Sequence, residues 1–238
     1  DEWEDYSELE VKEGNSFAEN MLAVRAWSRD KNLAEIGAPV DKSEWGMPPQ
    51  MVNAYFNPTN KEIVFPAAIL QPPFYNYTAD DAVNYGGIGA VIGHEISHAF
   101  DDSGSRFDGD GNLVNWWTDQ DLEEFTKRGD ALAEQYSAIE VLDSVYINGK
   151  FTLGENIGDL AGLTIAFDAY RTSLNGKEPP VIDGMSGDQR FFLGWAQVWR
   201  RNYREANLRQ RLITDPHSPS EQRAWVVRNL DKWYDAFQ

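Results

Sequence analysis

The sequence predicts an α+β domain that is mostly helical and carries a small sheet near its start. Apolar residues recur at helical spacing through most of the chain. Two short runs of β-like composition lie on either side of an Asn-Pro-Thr-Asn turn at 57–60. With 238 residues and 42% hydrophobic content, the chain is long enough for one large domain or two small ones.

The first predicted elements are one helix and the two β-like runs. Residues 16–36 have the apolar spacing of an amphipathic helix, and Gly37 marks its end. The β-like runs cover 51–56 and 62–65. Because an amphipathic helix cannot bury its apolar face alone, we expect residues 16–36 to pack on the rest of the chain.

The remainder of the chain is predicted to be helical, with turns between the helices. Asp108-Gly109-Asp110-Gly111-Asn112 is predicted to be a turn and not a calcium loop, because Leu113 and Asp119 stand where such a loop needs glycine and glutamate. Thr118 and Ser218 resemble the first residues of capping boxes. The predicted helices cover 80–100, 118–140, 153–174 and 187–205, and a last one begins at 218.

Composition excludes several classes of function. The chain has 21 Lys+Arg and 39 Asp+Glu, so its net charge of −18 repels phosphate backbones and argues against a nucleic-acid partner. It has no cysteine, which excludes disulfides, redox pairs, thiolate metal sites and a cysteine nucleophile.

One motif carries metal chemistry. His94 and His98 enclose Glu95 in the pattern H-E-x-x-H, and a helix places both imidazoles on one face. Glu95 lies about 100° round the helix, where it can contact a water on the metal without binding the metal itself. Two incidental histidines on a helix are the alternative. The glycine-rich apolar stretch at 86–93 favours the metal site, because it predicts a buried helix.

A third metal ligand is needed for a tetrahedral site with one open position. Glu155 lies near the start of a predicted helix, and Asp159 follows one turn later. Asp159 and Asp101 are placed so that each can orient one ligating imidazole. Solvated side chains remain the alternative for each of these carboxylates.

Several segments together resemble a known family. Over residues 53–233 the chain is similar to the catalytic domain of the neprilysin and endothelin-converting-enzyme family of zinc metallopeptidases, including its bacterial oligopeptidases. Besides the zinc motif and the following Phe-Asp-Asp, the matching segments are 52–55, 63–67, 69–74, 84–89, 116–118, 154–157, 191–193, 196–199 and 217–219.

The resemblance implies a thermolysin-like zincin catalytic domain over residues 1–238 that binds one Zn²⁺ per chain. It implies that His94, His98 and Glu155 hold the zinc and that Glu95 is the general base acting on a zinc-bound water. Asp101 and Asp159 would orient the two histidines. His217 would stabilise the oxyanion of the tetrahedral intermediate, although it also fits a proline-rich turn before a helix.

The same resemblance implies how a peptide substrate binds. Asn53 and Ala54 would bond the peptide backbone from the edge strand of the small sheet, and Arg223 would bind a substrate carbonyl. The reaction would be hydrolysis of oligopeptides on the amino side of large apolar residues. The pocket for that residue would be lined by Ile69, Phe74, Val91, Val198 and Trp199, with core packing as the alternative for these five.

Three departures from the family pattern shape the expectations. The N-terminal helical lobe, expected as a partner from the same protein, and the extreme C-terminal tail are not found in this sequence. Arg200 stands where a cysteine often follows the tryptophan, which favours a bacterial member. A secreted, periplasmic or membrane-anchored location is expected, with a cytoplasmic one as the alternative.

Three hypotheses follow for the function. The first is an active zinc endopeptidase. The second is an inactive relative that binds peptides or acts as a scaffold. The third is a catalytic part that works only together with the N-terminal lobe.

Overall fold

The computed structural model describes residues 5–238, and the chain divides into two compact units, Asp1–Trp45 and Gly46–Gln238. In the first unit, helix α1 covers Phe17–Ala34. The Ser16 side chain accepts the Glu19 N–H and the Glu19 carboxylate accepts the Ser16 N–H, so α1 begins with a complete capping box. No residue of α1 is buried. Its packing on the rest of the chain stays a prediction.

The predicted early sheet is a short antiparallel hairpin. Strand β1 (Tyr55–Asn57) pairs with β2 (Glu62–Val64), with Tyr55 opposite Val64. The expectation that Asn53 and Ala54 belong to the edge strand was therefore wrong, because both precede β1. Continuing this register would place Asn53 opposite Pro66, which has no N–H to donate to a ladder.

The helix predicted at 80–100 is one helical run of changing pitch. It consists of α2 (Asp81–Asn84), a π-helical turn (Tyr85–Gly89), α3 (Ala90–Ser97) and a final 3₁₀ turn (His98–Phe100). Asp80 caps its start by accepting the Ala82 N–H.

The π-helical turn allows close backbone approach on two sides. A Cβ atom on Gly86 would lie 1.9 Å from the carbonyl oxygen of Phe191, and one on Gly87 would lie 2.5 Å from that of Phe74. The N–H of Ile88 donates to the same Phe74 oxygen at 2.7 Å. The turn therefore joins this helical run directly to the segment carrying Phe74.

The middle of the chain contains a hairpin that the sequence did not indicate. Helix α4 (Asp119–Ser137) is capped by Thr118 as predicted, but it ends before 140. Strands β3 (Glu140–Leu142) and β4 (Val145–Tyr146) follow, joined through Ser144 at φ +58°. Helix α5 (Leu153–Ser173) comes next, close to its predicted bounds. The predicted turn at 108–112 is present, with the Asp108 carboxylate accepting two backbone N–H groups.

The last third of the chain is more broken than predicted. Helix α6 (Gly187–Val198) stops before 205, and α7 (Glu205–Thr214) is a separate helix. Helix α8 (Ser220–Ala224), a 3₁₀ turn (Trp225–Asn229) and α9 (Asp231–Phe237) follow. The capping box predicted at Ser218 is absent, because its hydroxyl donates to the buried Asn156 side chain at 2.8 Å.

Helix α5 lies at the centre of the second unit. It packs against α3 and the π-helical turn, and its aromatic side chains contact those of α6 in the main core, where the 225–229 turn also packs against it. A smaller apolar cluster joins α3 and the π-helical turn to the segment around β1. Among residues 5–238, no helix has both the length and the apolar character needed to cross a membrane. The main core contains Ala82, Ala90, Leu163, Ala166, Phe167, Tyr170, Phe191, Phe192, Trp195, Val226 and Leu230.

Candidate metal centre and cleft

Glycines bring helices α3 and α5 into backbone contact. A Cβ atom on Gly162 would lie 2.4 Å from the backbone nitrogen of His94, and one on Gly93 would lie 2.6 Å from the carbonyl oxygen of Gly162. A Cβ on Gly158 would lie 2.8 Å from the His94 ring. Gly154, Gly158 and Gly162 recur every fourth residue, which places them on one side of α5. Sequence reasoning missed this stripe, although its spacing was visible.

This close crossing brings the three predicted metal ligands together. His94 and His98 come from α3 and its last turn, and Glu155 comes from the first turn of α5. Their ligand atoms all lie within 4.8 Å of one another, a group that could hold a metal ion. Glu155 Oε2 lies 3.2 Å from His94 Nε2 and 3.8 Å from His98 Nε2.

The hydrogen bonds of this group fit a cation between the three side chains. Nδ1 of His94 bonds Asp159 at 2.9 Å, and Nδ1 of His98 bonds Asp101 at 2.7 Å. When each Nδ1 donates its proton to a carboxylate, the neutral imidazole turns the lone pair of Nε2 inward. Glu155 Oε2 is also an acceptor, and it is buried without a hydrogen bond of acceptable geometry. Three converging acceptors suit a positive ion.

A proton is the other cation that this group attracts. Burial disfavours the charged imidazole of His94, but its contacts with Asp159 and Glu155 outweigh burial and raise its pKa to about 9. A proton on Nε2 blocks that atom as a ligand. Metal and proton therefore compete for His94.

The two orienting carboxylates are themselves held in place. Asp101 Oδ1 accepts the backbone N–H groups of Ser103 and Gly104 at 2.8 and 2.6 Å, so only Oδ2 is left for His98. Asp159 is fully buried and accepts two bonds from Arg223, at 2.8 and 2.6 Å. This bidentate cation compensates the buried charge.

Glu95 lies beside the ligands without joining them. It is 6% exposed and lines the same cleft. Burial raises its pKa above the ordinary 4.5 of a glutamate, although the neighbouring histidines work against this. A carboxylate with a raised pKa is a stronger base at neutral pH.

His217 reaches the metal group from the opposite end of the sequence. Its Nε2 lies 3.0 Å from Glu155 Oε2, and its Nδ1 bonds Asp215 at 2.8 Å. Asp215 also pairs with Arg211 at 2.5 Å. Asp215 is a residue that sequence reasoning missed. An aspartate two positions before a candidate catalytic histidine was the available signal.

Arg223 is buried and lines the same cleft as His217. Its Nε and Nη2 atoms bond Asp159, and its guanidinium stacks 3.9 Å from the centre of the Trp199 ring. Nη1 makes no hydrogen bond within the part of the chain that the structure describes, and Arg223 lines the cleft. The N–H groups of Nη1 therefore remain for a ligand.

All fifteen predicted site residues line a single cleft of about 920 Å³. Ile69 and Val91 are buried beside Phe74 in the smaller apolar cluster, and together they form one apolar wall. Val198 and Trp199 line the cleft and also pack on the main core, so they serve both roles that the sequence left open. The remaining lining residues from the predicted set are Asn53, Ala54, His94, Glu95, His98, Asp101, Glu155, Asp159, His217 and Arg223.

The chain is similar to several known proteins. It is 45% identical over 237 residues to the endothelin-converting enzyme homolog of Locusta migratoria, covering 98% of this chain and 32% of that protein. It is 48% identical over 208 residues to human endothelin-converting enzyme 1, covering 86% of this chain and 27% of that one. The crystal structure of the Mycobacterium tuberculosis zinc metalloprotease Zmp1 with an inhibitor matches with a TM-score of 0.93 at 56% identity. That match covers 99% of this chain and 37% of Zmp1.

These relatives are longer proteins, and the chain spans about a third of their length. The sequence model of peptidase family M13 matches residues 53–238, which is well over half of the chain. The chain therefore belongs to peptidase family M13.

Proposed function

We propose that this chain is the catalytic part of a zinc-dependent endopeptidase with a thermolysin-like arrangement of its site. One observation carries the proposal. Three acceptor atoms from His94, His98 and Glu155 converge in a cleft that also holds the buried carboxylate Glu95. Family membership supports a peptidase, and the names of the relatives support zinc.

One Zn²⁺ per chain is the proposed metal. Two imidazole nitrogens and one carboxylate oxygen are a ligand set that zinc uses in catalytic sites, with a fourth position left open. When bound, zinc supplies Lewis acidity, which lowers the pKa of water and polarises a carbonyl group. Asp159 and Asp101 keep both imidazoles in the ligating tautomer.

Side chains of the cleft carry out the proton transfer and bind the substrate carbonyl groups. Glu95 takes the proton from the attacking water, for which its raised pKa suits it. His217 donates from Nε2 to the oxyanion that develops on the substrate carbonyl, and Asp215 holds its ring through Nδ1. Arg223 offers Nη1 to a neighbouring substrate carbonyl.

The substrate is proposed to be an oligopeptide cleaved on the amino side of a large apolar residue. Ile69, Phe74, Val91, Val198 and Trp199 supply an apolar pocket within reach of the metal group. Asn53 and Ala54 line the cleft just before β1, where they can bond an extended peptide. Because the relatives are about three times as long as the matched region, we include a further lobe of the same protein as a partner of this cleft.

The test combines metal analysis with cleavage mapping. The zinc-loaded protein, alone and in its longest natural form, is incubated with quenched oligopeptides carrying Phe, Leu, Gly or Asp after the scissile bond. We expect one zinc per chain and cleavage before Phe and Leu. Glu95→Gln should keep the zinc and lose activity by about 10²- to 10⁴-fold, because it removes the base and no ligand.

Each alternative gives a different result. Loss of zinc in Glu95→Gln would contradict the role given to Glu95. Tight peptide binding by the zinc-loaded wild type without any cleavage would support the inactive relative that binds peptides. Cleavage only by the longer form would show that the further lobe is required.

A further inference from the structure

Two arginines stand at the rim of the cleft without an acidic partner. Arg200 and Arg201 line the cleft and are exposed. Neither lies within ion-pair distance of a carboxylate among residues 5–238. The other two cleft arginines are paired, Arg211 with Asp215 at 2.5 Å and Arg223 with Asp159 at 2.6 Å. In a chain with 39 acidic and 21 basic residues, two adjacent arginines without a paired carboxylate are unusual.

A fixed aromatic ring holds one of these cations in position. The hydroxyl of Tyr203 bonds the Ser220 hydroxyl at 2.7 Å and accepts the Ser220 N–H at 3.1 Å. Arg201 lies 4.8 Å from the centre of this ring, and Arg211 lies 5.7 Å from it. Stacking on an anchored ring reduces the rotamer freedom that a guanidinium loses when it binds an anion.

The place of the arginines follows from the chain itself. They come directly after Val198 and Trp199, which line the proposed pocket for the residue following the scissile bond. A peptide whose apolar side chain fills that pocket therefore lies in the same cleft as Arg200 and Arg201 and next to the segment that carries them. On this point the inference rests on the proposed function.

We propose that Arg200 and Arg201 bind a carboxylate of the peptide downstream of the scissile bond. The carboxylate is either an acidic side chain or the free C-terminus, since a guanidinium recognises both by the same paired hydrogen bonds. A singly charged group fits better than a phosphate, because Asp215 and Glu155 line the same cleft and repel additional negative charge.

The experiment uses four quenched peptides that share one scissile bond followed by Phe. They carry Asp or Asn two residues after that bond, each with a free or an amidated C-terminus. At low ionic strength we expect kcat/KM for the peptide with the matching carboxylate to be about fivefold higher than for the peptide that lacks it. An ion pair between partly exposed groups supports a difference of this size. Added NaCl should reduce this preference. Comparing Asp with Asn tests an acidic side chain as the bound group, and comparing the free with the amidated C-terminus tests the terminal carboxylate.

Substitutions test whether Arg200 and Arg201 cause the preference for a carboxylate. Arg200→Gln with Arg201→Gln should remove this preference, so that kcat/KM of the variant is about equal for all four peptides. Arg204→Gln is the matched control, because Arg204 is exposed in the same segment but does not line the cleft. A double variant that keeps the preference, or a wild type that shows none, would overturn the proposal.

Binding measurements without cleavage distinguish a failure of this proposal from a failure of the proposed function. Fluorescence anisotropy on the Glu95→Gln protein measures Kd for the same four peptides without cleavage. A carboxylate preference in Kd that the double variant loses supports the arginine pair even if wild type cleaves nothing. Equal Kd for all four peptides removes it even if wild type cleaves all four.

Discussion

Each histidine of the chain has its Nδ1 on a carboxylate, which leaves Nε2 turned towards the cleft. The pairs are His94 with Asp159, His98 with Asp101 and His217 with Asp215, at 2.9, 2.7 and 2.8 Å. The three carboxylates differ in what else they contact. Asp159 is paired with a buried arginine, Asp101 with two backbone N–H groups and Asp215 with Arg211. The same kind of contact therefore orients both the two proposed histidine ligands and His217.

His217→Ala is expected to reduce kcat by about 10²- to 10³-fold with little rise in KM. The reason is that a donor to an oxyanion gains its partner only as charge develops in the transition state. Steady-state kinetics on the zinc-loaded variant measures this split, and metal analysis should find unchanged zinc. A large rise in KM at constant kcat would assign His217 to ground-state binding.

Asp215→Asn tests the same assignment through pH. Burial opposes the charge on His217, but Glu155 and Asp215 outweigh it and raise the pKa of His217. Activity that needs protonated His217 is present below the pKa that His217 has in the zinc-loaded protein, and it is lost as pH rises through that value. Removing the Asp215 charge lowers the pKa, so the basic limb of kcat/KM should move to lower pH. An unmoved limb would show that another group sets it.

At the level of elements, the metal group depends on how closely α3 and α5 cross. His94 and Glu155 belong to different helices, and Gly93 and Gly162 allow the two backbones to touch. Any atom added at the crossing separates the helices and with them the ligands.

Gly162→Ala is therefore expected to destabilise the fold by about 1–3 kcal/mol or more and to weaken zinc binding. Its Cβ would meet three backbone atoms of α3 within 2.8 Å, and backbone cannot move aside as a side chain can. Gly129→Ala in α4 is the matched control, because its nearest neighbour is the Leu153 side chain at 3.5 Å. That variant should gain up to about 1 kcal/mol from helix propensity. Chemical denaturation and zinc titration of both proteins compare the two sites, and equal effects would contradict the packing argument.

At the level of the whole second unit, the cleft collects side chains from distant parts of the chain. The predicted site residues extend from Asn53 to Arg223. Two of the proposed metal ligands come from α3 and its last turn, and one comes from α5. An ion bound by all three side chains therefore joins two elements of the core.

Zinc should accordingly raise the stability of the protein. At free zinc 100 times its dissociation constant, the gain is about 2.7 kcal/mol, provided that the unfolded chain does not bind it. Thermal melts with chelator and with added zinc measure the change in Tm. Glu155→Ala is the control and should lose most of the zinc-dependent shift. Equal Tm values with and without zinc, in protein shown to bind it, would contradict a metal that joins α3 to α5.

Much of the site could be predicted because its chemistry is local in sequence. His94, Glu95 and His98 follow from helical spacing alone. Glu155 was a candidate with a solvated side chain as the alternative, since only the fold brings it to the histidines, and the resemblance decided between the two. Asp215 was overlooked because the role of His217 was itself taken from the resemblance.

The errors in the fold have physical causes. No glycine or proline lies between 195 and 215 to signal the break between α6 and α7. At that break Tyr203 bonds Ser220, a partner 17 positions away that no local pattern reveals. Strands β3 and β4 contain only three and two residues, too few to show an alternating pattern.

The π-helical turn at Tyr85–Gly89 sets the rotational phase of the helix that follows it. A π-helical turn contains about one residue more than an α-helical turn. If the same residues closed into a regular α-helix with none removed, the continuation of the run would be rotated by about 100°. His94 and His98 would still lie four residues apart and the sequence of the motif would be unchanged. Both rings would nevertheless point away from Glu155. The five-residue motif thus supplies the side chains that can bind a metal, and the π-helical turn before it determines the direction in which they point.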